Sequence, residues 1–116
     1  MRMNLNEFNE KYYLHDSVID RIEYQSNTLT IYCQFCEFMQ DDYKESDFAN
    51  SDIIITFHNS TYSLTPDFQI EDAGILDHSV SESTITLRLE NFPDQYGELK
   101  ISADIVEVRK LRYYNL

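Results

Sequence analysis

From Thr28 to Phe35 the chain alternates without a break. Leu29, Ile31, Cys33 and Phe35 point one way, and Thr30, Tyr32 and Gln34 the other. A period of two is that of a half-buried β-strand. The stretch before it, Val18 to Tyr24, is less regular: Val18, Ile22 and Tyr24 share a parity that Ile19 breaks, which predicts a bulge at Val18-Ile19 or a residue buried on both sides. Gln25-Ser26-Asn27 between the two arms is turn material, because Asn tolerates positive φ and Ser and Asn bond their own backbone. These residues predict a β-hairpin entered through Leu14-His15-Asp16-Ser17.

Further strands follow from the same pattern. Asp52 to His58 is almost continuously apolar and reads as a central strand. Tyr62-Ser63-Leu64 pairs briefly before Thr65-Pro66-Asp67 interrupts it. Ile75 to Val80 forms a weaker strand, and Thr84 to Glu90 the clearest one, with Ile85, Leu87 and Leu89 facing in. Asn91 to Gly97 reads as a loop. Glu98 to Ala103 and Ile105 to Leu111 read as the last strands, with Tyr113-Tyr114-Asn115-Leu116 as an apolar tail that docks. Asn4 to Tyr13 predicts a short helix: Asn4 or Asn6 caps it, Glu7 sits in its first turn, and Leu5, Phe8 and Tyr12 share a face. Glu37 to Asn50 is a loop anchored by Phe38 and Met39. The expected fold is mainly β: one domain over residues 1–116, an antiparallel β-sandwich or open barrel of six or seven strands with a short N-terminal helix.

Composition sharpens this reading. Two Gly and two Pro in 116 residues are few for a β-protein, so the turns must rely on Asn, Asp and Ser. Nine Lys and Arg against twenty-one Asp and Glu give 9 − 21 = −12. Such a surface repels phosphate, so neither nucleic acid nor an anionic membrane is an expected partner, and a basic protein is. No stretch reaches the ~20 apolar residues of a membrane span. The first residues carry no apolar run of signal-peptide length, and two cysteines three apart make no secreted disulfide framework. The expected location is the cytoplasm.

Four features carry candidate chemistry. His15-Asp16-Ser17 contains the residue types of a hydrolytic triad, but in extended chain His15 and Ser17 face away from Asp16, and no nucleophile elbow is present. The expected role is structural, with Asp16 and Ser17 bonding backbone where helix gives way to strand. Cys33-Gln34-Phe35-Cys36 has redox spacing but ends a strand instead of opening a helix, so no disulfide, zinc or other cofactor is expected. Asp41, Asp42, Glu45, Asp47 and Asp52 form an acidic stretch without the order or the glycine of a calcium loop. No Lys or Arg separates Lys44 from Arg88, while Arg109, Lys110 and Arg112 cluster near the end. Such segregation lets a fold gather its acids on one face, either simply solvated or an interaction face with those five carboxylates as the partner-binding candidates. His58 and His78 stand alone and read as ordinary boundary residues.

Tyr13-Leu14-His15-Asp16-Ser17, followed by Ile22 and Asn27-Thr28-Leu29-Thr30-Ile31, resembles the opening of small bacterial β-proteins that begin with a Leu-His-Asp-Ser element and a hairpin. Some of these are similar to immunity proteins of bacterial toxin systems. The resemblance covers about the first third of the chain. It implies a cytoplasmic bacterial β-domain that inhibits a toxin, and it carries over no catalytic residue; the acidity of the chain agrees with a basic toxin. The alternative is a small enzyme or ligand-binding domain with a Tyr- and carboxylate-lined cavity in a half-closed sheet. A cavity of ~300 Å³ or more with converging polar groups separates this from a flat acidic face.

Overall fold

A computed structural model describes residues 1–45 and 47–114. Among the described residues, nine strands form one antiparallel sheet: β1 (Arg2–Met3), β2 (Val18–Gln25), β3 (Thr28–Cys36), β4 (Asn50–His58), β5 (Thr61–Leu64), β6 (Ala73–Ser81), β7 (Thr84–Asn91), β8 (Gln95–Ser102) and β9 (Ile105–Tyr114). The mainly-β class is as expected; the strand number is higher than six or seven. One additional strand, β1, is two residues long, too short to show a period. Tyr113 and Tyr114 extend β9 opposite Ser51 and Asn50, while Asn115 and Leu116 lie outside the described residues.

The strand order is β1-β9-β4-β3-β2-β6-β7-β8-β5. Two residue pairs, Val18↔Gly74 and Ile19↔Ala73, join β2 to β6. β5, the last strand in that order, follows β4 after two residues, and the Tyr62 ring meets the Tyr24 ring of β2 at 5.1 Å. The sheet is therefore curled back on itself. Its inner face carries Leu29, Ile31, Cys33 and Phe35 of β3, each at most 1 % exposed, facing Ile85, Leu87 and Leu89 of β7 and Leu99 and Ile101 of β8 in the same core. Burial of each Leu or Ile contributes about 1.5–3 kcal/mol.

Helix α1 (Leu5–Lys11) packs on β6, β7 and β9. Asn4 Oδ1 accepts the Glu7 N–H at 2.8 Å and Glu7 Oε1 accepts the Asn4 N–H at 3.0 Å, a complete capping box. Seven residues do not make a helix stable in water. Fully buried Phe8 supplies the missing stability, edge-on to Phe57 at 5.9 Å, and Tyr12 follows, edge-on to Phe35 at 5.7 Å.

The bulge lies between Ile19 and Arg21, leaving Asp20 as the extra residue, so Ile19 rather than Val18 enters the core. Asn91 to Gly97 is not a loop: β7 and β8 continue to Asn91 and Gln95 around a three-residue turn. Eight of the described non-glycine residues have positive φ, and seven of them are Asp, Asn or Ser. Ser26 and Asn27, at 52° and 59°, make the two-residue hairpin turn that matches strand twist. Both glycines lie in strands instead. Gly97 is there because Phe68 packs on it; a Cβ would stand 2.7 Å from the ring.

Candidate functional site

An open cleft of about 550 Å³ lies between the end of α1, the segment after β3 and the outer part of β9. Its base is aromatic, formed by Tyr12 and Phe35, with half-exposed Tyr13 beside them. Glu10, Glu37, Asp41 and Asp42 supply four carboxylates, and Lys11 and Lys110 two cations, so the cleft is net acidic. Glu37 is the fixed member. Its Oε2 accepts the Ser51 hydroxyl at 2.8 Å and the Lys110 ammonium at 2.8 Å, and that ammonium lies 5.5 Å from the Phe35 ring centre. Asp41 and Asp42 stand in solvent at the rim.

A single side chain holds the two walls together. Gln40 Oε1 accepts the Tyr13 N–H at 3.0 Å, while its amide donates to the Tyr13 carbonyl at 2.7 Å and the Cys36 carbonyl at 2.9 Å. Gln40 thus pairs with Tyr13 as a neighbouring strand would. A 3-10 turn, Glu37–Met39, delivers it there. Met39 is half-buried as an anchor would be, but Phe38 is 63 % exposed and turns its face to Tyr43 at 5.3 Å instead of entering the core. Phe48, farther along the same acidic loop, is 52 % exposed.

The helix-to-strand passage forms the other wall. Ser17 is fully buried; its Oγ accepts the Cys36 N–H at 3.0 Å. Asp16 does not bond backbone through its carboxylate. It adopts φ 66°, donates its own N–H to the Ile75 carbonyl, and turns its carboxylate to His15 Nε2 at 3.4 Å. His15 Nδ1 donates to the Leu76 carbonyl at 2.5 Å. The passage is therefore stitched to β6 by backbone and by the His15 ring. The arrangement is no triad, since the Ser17 hydroxyl serves the Cys36 amide and no carboxylate–histidine–serine line forms.

His78 is more than a boundary residue. Its Nε2 accepts the Leu14 N–H at 2.9 Å and its Nδ1 donates to Asn9 Oδ1 at 2.6 Å. Those two bonds require the neutral ring with its proton on Nδ1. Burial pushes its pKa down, opposed by the neighbouring charge of Asp77. Asp77 itself is held below the usual carboxylate range by Arg88, which grips both of its oxygens. His58 pairs with Glu107 at 3.0 Å, which lowers the Glu107 pKa.

Of the five carboxylates read as an acidic face, two reach the cleft, Asp41 and Asp42. Glu45 is exposed elsewhere on the loop. Asp47 closes the loop's own turn by accepting the Lys44 N–H at 3.0 Å, and Asp52, on β4, accepts Arg112 Nε at 2.6 Å. Glu10, Glu37, Tyr12, Tyr13 and Gln40 were not expected at a site. The end of α1 and the 3-10 turn after β3 place them there, and no local motif signals it. Cys33 is buried and its thiol pKa is pushed far up, first by burial and then by the charges of Asp20 and Asp52; Cys36 is half-buried, and the two are not joined. Among the described residues no three His, Cys, Asp or Glu side chains gather to hold a metal, and no helix is long and apolar enough to cross a membrane. Comparison of the chain with protein-family models, with curated proteins and with solved structures finds no match.

Proposed function

We propose that this chain is a non-catalytic protein-binding domain for a basic partner, and that its role is that of an immunity-type inhibitor of a basic toxin. One observation carries the reading: a preformed cleft of about 550 Å³ whose aromatic base is ringed by four carboxylates, opening beside a loop that displays Phe38 and Phe48. Aromatic anchors within a charged rim are the composition of interface hot spots. A carboxylate rim over Tyr and Phe suits an inserted Arg or Lys side chain.

The same cleft exceeds the ~300 Å³ of a small-molecule pocket, and this supports the second reading, a ligand-binding domain. Its form favours the first. Glu10, Lys11, Asp41, Asp42 and Tyr13 all remain in solvent, so a small molecule would stay largely uncovered where a protein partner would cover the whole rim.

The test is capture from a lysate of the native host. The parent chain and a variant carrying Glu10→Gln, Asp41→Asn and Asp42→Asn serve as paired baits. A basic protein retained by the parent and lost by the variant is the expected outcome. Equal retention by both would remove the cleft from the interface.

A further inference from the structure

A second recessed surface lies apart from the cleft, where β6 begins, β7 ends and β8 begins. It is a groove of about 360 Å³. Asp72, Glu90 and Asp94 give it three carboxylates, and Phe92 and Tyr96 give it two aromatic rings. Among its described lining residues there is no Lys, Arg or His, so nothing within it neutralises the acids. The cleft described above, in contrast, holds two lysines.

Phe92 is 91 % exposed and Tyr96 64 % exposed. Solvation of one ring is ordinary; two beside one groove at the tip of a hairpin are not. Nor is the tip loose. Asn91 Nδ2 donates to the Gln69 carbonyl at 2.7 Å and the Glu71 carbonyl at 3.0 Å, and Asn91 Oδ1 accepts the Phe92 N–H at 2.8 Å. One side chain thus clamps the turn to the segment that leads into Asp72. Asp72 and Asp94, at φ 67° and 57°, form the bends on either side. The backbone that carries the rings is held in advance, so little backbone entropy remains to be lost on contact.

We propose that this groove is a second recognition site, which takes an arginine side chain of a protein partner between the Phe92 and Tyr96 rings and the Glu90 and Asp94 carboxylates. Charge complementarity chooses a cation, and the combination of groups chooses arginine. A planar guanidinium stacks on a ring face while its edge donates to carboxylates, whereas an ammonium does one or the other less well. The proposal uses none of the cleft residues and stands or falls independently of the cleft.

The experiment is an NMR titration of the intact ¹⁵N-labelled protein with three blocked tripeptides of the form acetyl-Gly-X-Gly-amide, X being arginine, lysine or citrulline. Citrulline keeps the shape of arginine and removes its charge. With the arginine peptide, the amides of Glu90 to Tyr96 should shift and saturate. The lysine peptide should bind more weakly, and the citrulline peptide should leave these amides still. Phe92→Ala removes a ring that touches solvent, so its melting temperature should match the parent's while arginine affinity falls roughly threefold or more. Shifts of equal size with citrulline, equal affinity for lysine, or no saturable shift in this turn would each overturn the proposal. The comparison of the three peptides on the parent protein needs no variant to fold.

Discussion

Ser17 shows most plainly how one residue holds the passage from helix to sheet. Its hydroxyl is the partner of the Cys36 N–H at a buried position, so Ser17→Ala should cost about 1–3 kcal/mol by leaving that donor unpaired. Asp16 acts through its backbone. At φ 66° a Cβ is strained, and Asp and Asn bear this better than Ala. Asp16→Asn should therefore melt with the parent and Asp16→Gly should be nearly neutral, while Asp16→Ala loses about 1 kcal/mol in urea titration. A large loss for Asp16→Asn would mean that its carboxylate matters after all. His78 supplies a pH dependence. Its folded pKa lies below the ordinary 6.5, so above 6.5 the ring is neutral folded or unfolded and its contribution is complete. As the pH falls through 6.5 toward the folded value, the unfolded chain takes up a proton that the folded ring refuses, and stability is lost. The charged group that acts on the ring is Asp77, which opposes this shift. The parent should consequently lose more stability between pH 7 and 5.5 than His78→Gln does; equal slopes would contradict a neutral His78 ring bonded to Leu14 and Asn9.

At the scale of elements, legibility depended on length and period. Strand β3 was readable because four inward residues alternate across it, and its register forces all four inside or all four out. Ile31→Ala at a fully buried site should cost about 2–5 kcal/mol, measured by urea unfolding, and a loss below half a kcal/mol would disprove the register. Strand β1 could not be read, since two residues have no period. The β7–β8 turn was misread because Phe92-Pro93-Asp94-Gln95 looks like coil, although strand pairing continues to Asn91↔Gln95. Gln40 also escaped notice. A lone Gln in a polar loop carries no signal, yet its amide bonds three backbone groups. Gln40→Ala should lower stability by about 1–2 kcal/mol and speed amide hydrogen exchange at Tyr13.

For the molecule as a whole, the cleft brings together residues from three separate parts of the chain: the end of α1, the turn after β3, and Lys110 on β9. β3 and β9 flank β4 in the sheet and α1 packs on β9, a juxtaposition set by strand order that no local pattern encodes. The acidic face was legible only in outline. Asp52 is spent on Arg112, Asp47 on its own loop, and four aspartates on turns that glycine would otherwise make. Asp41 and Asp42 remain at the cleft rim, and they are the members of the predicted face that a basic partner would meet.

The measurement that bears most directly on the binding reading is the association rate of the captured partner across ionic strength, followed by stopped flow for the parent and for Glu10→Gln/Asp41→Asn/Asp42→Asn. Between about 0.02 and 0.5 M salt the parent's rate should fall by roughly tenfold or more, as screening removes electrostatic steering. The neutralised variant should associate slowly throughout, with a shallow dependence. A parent rate that stays within about twofold over that range, or a variant that follows the parent's curve, would contradict recognition through the acidic cleft.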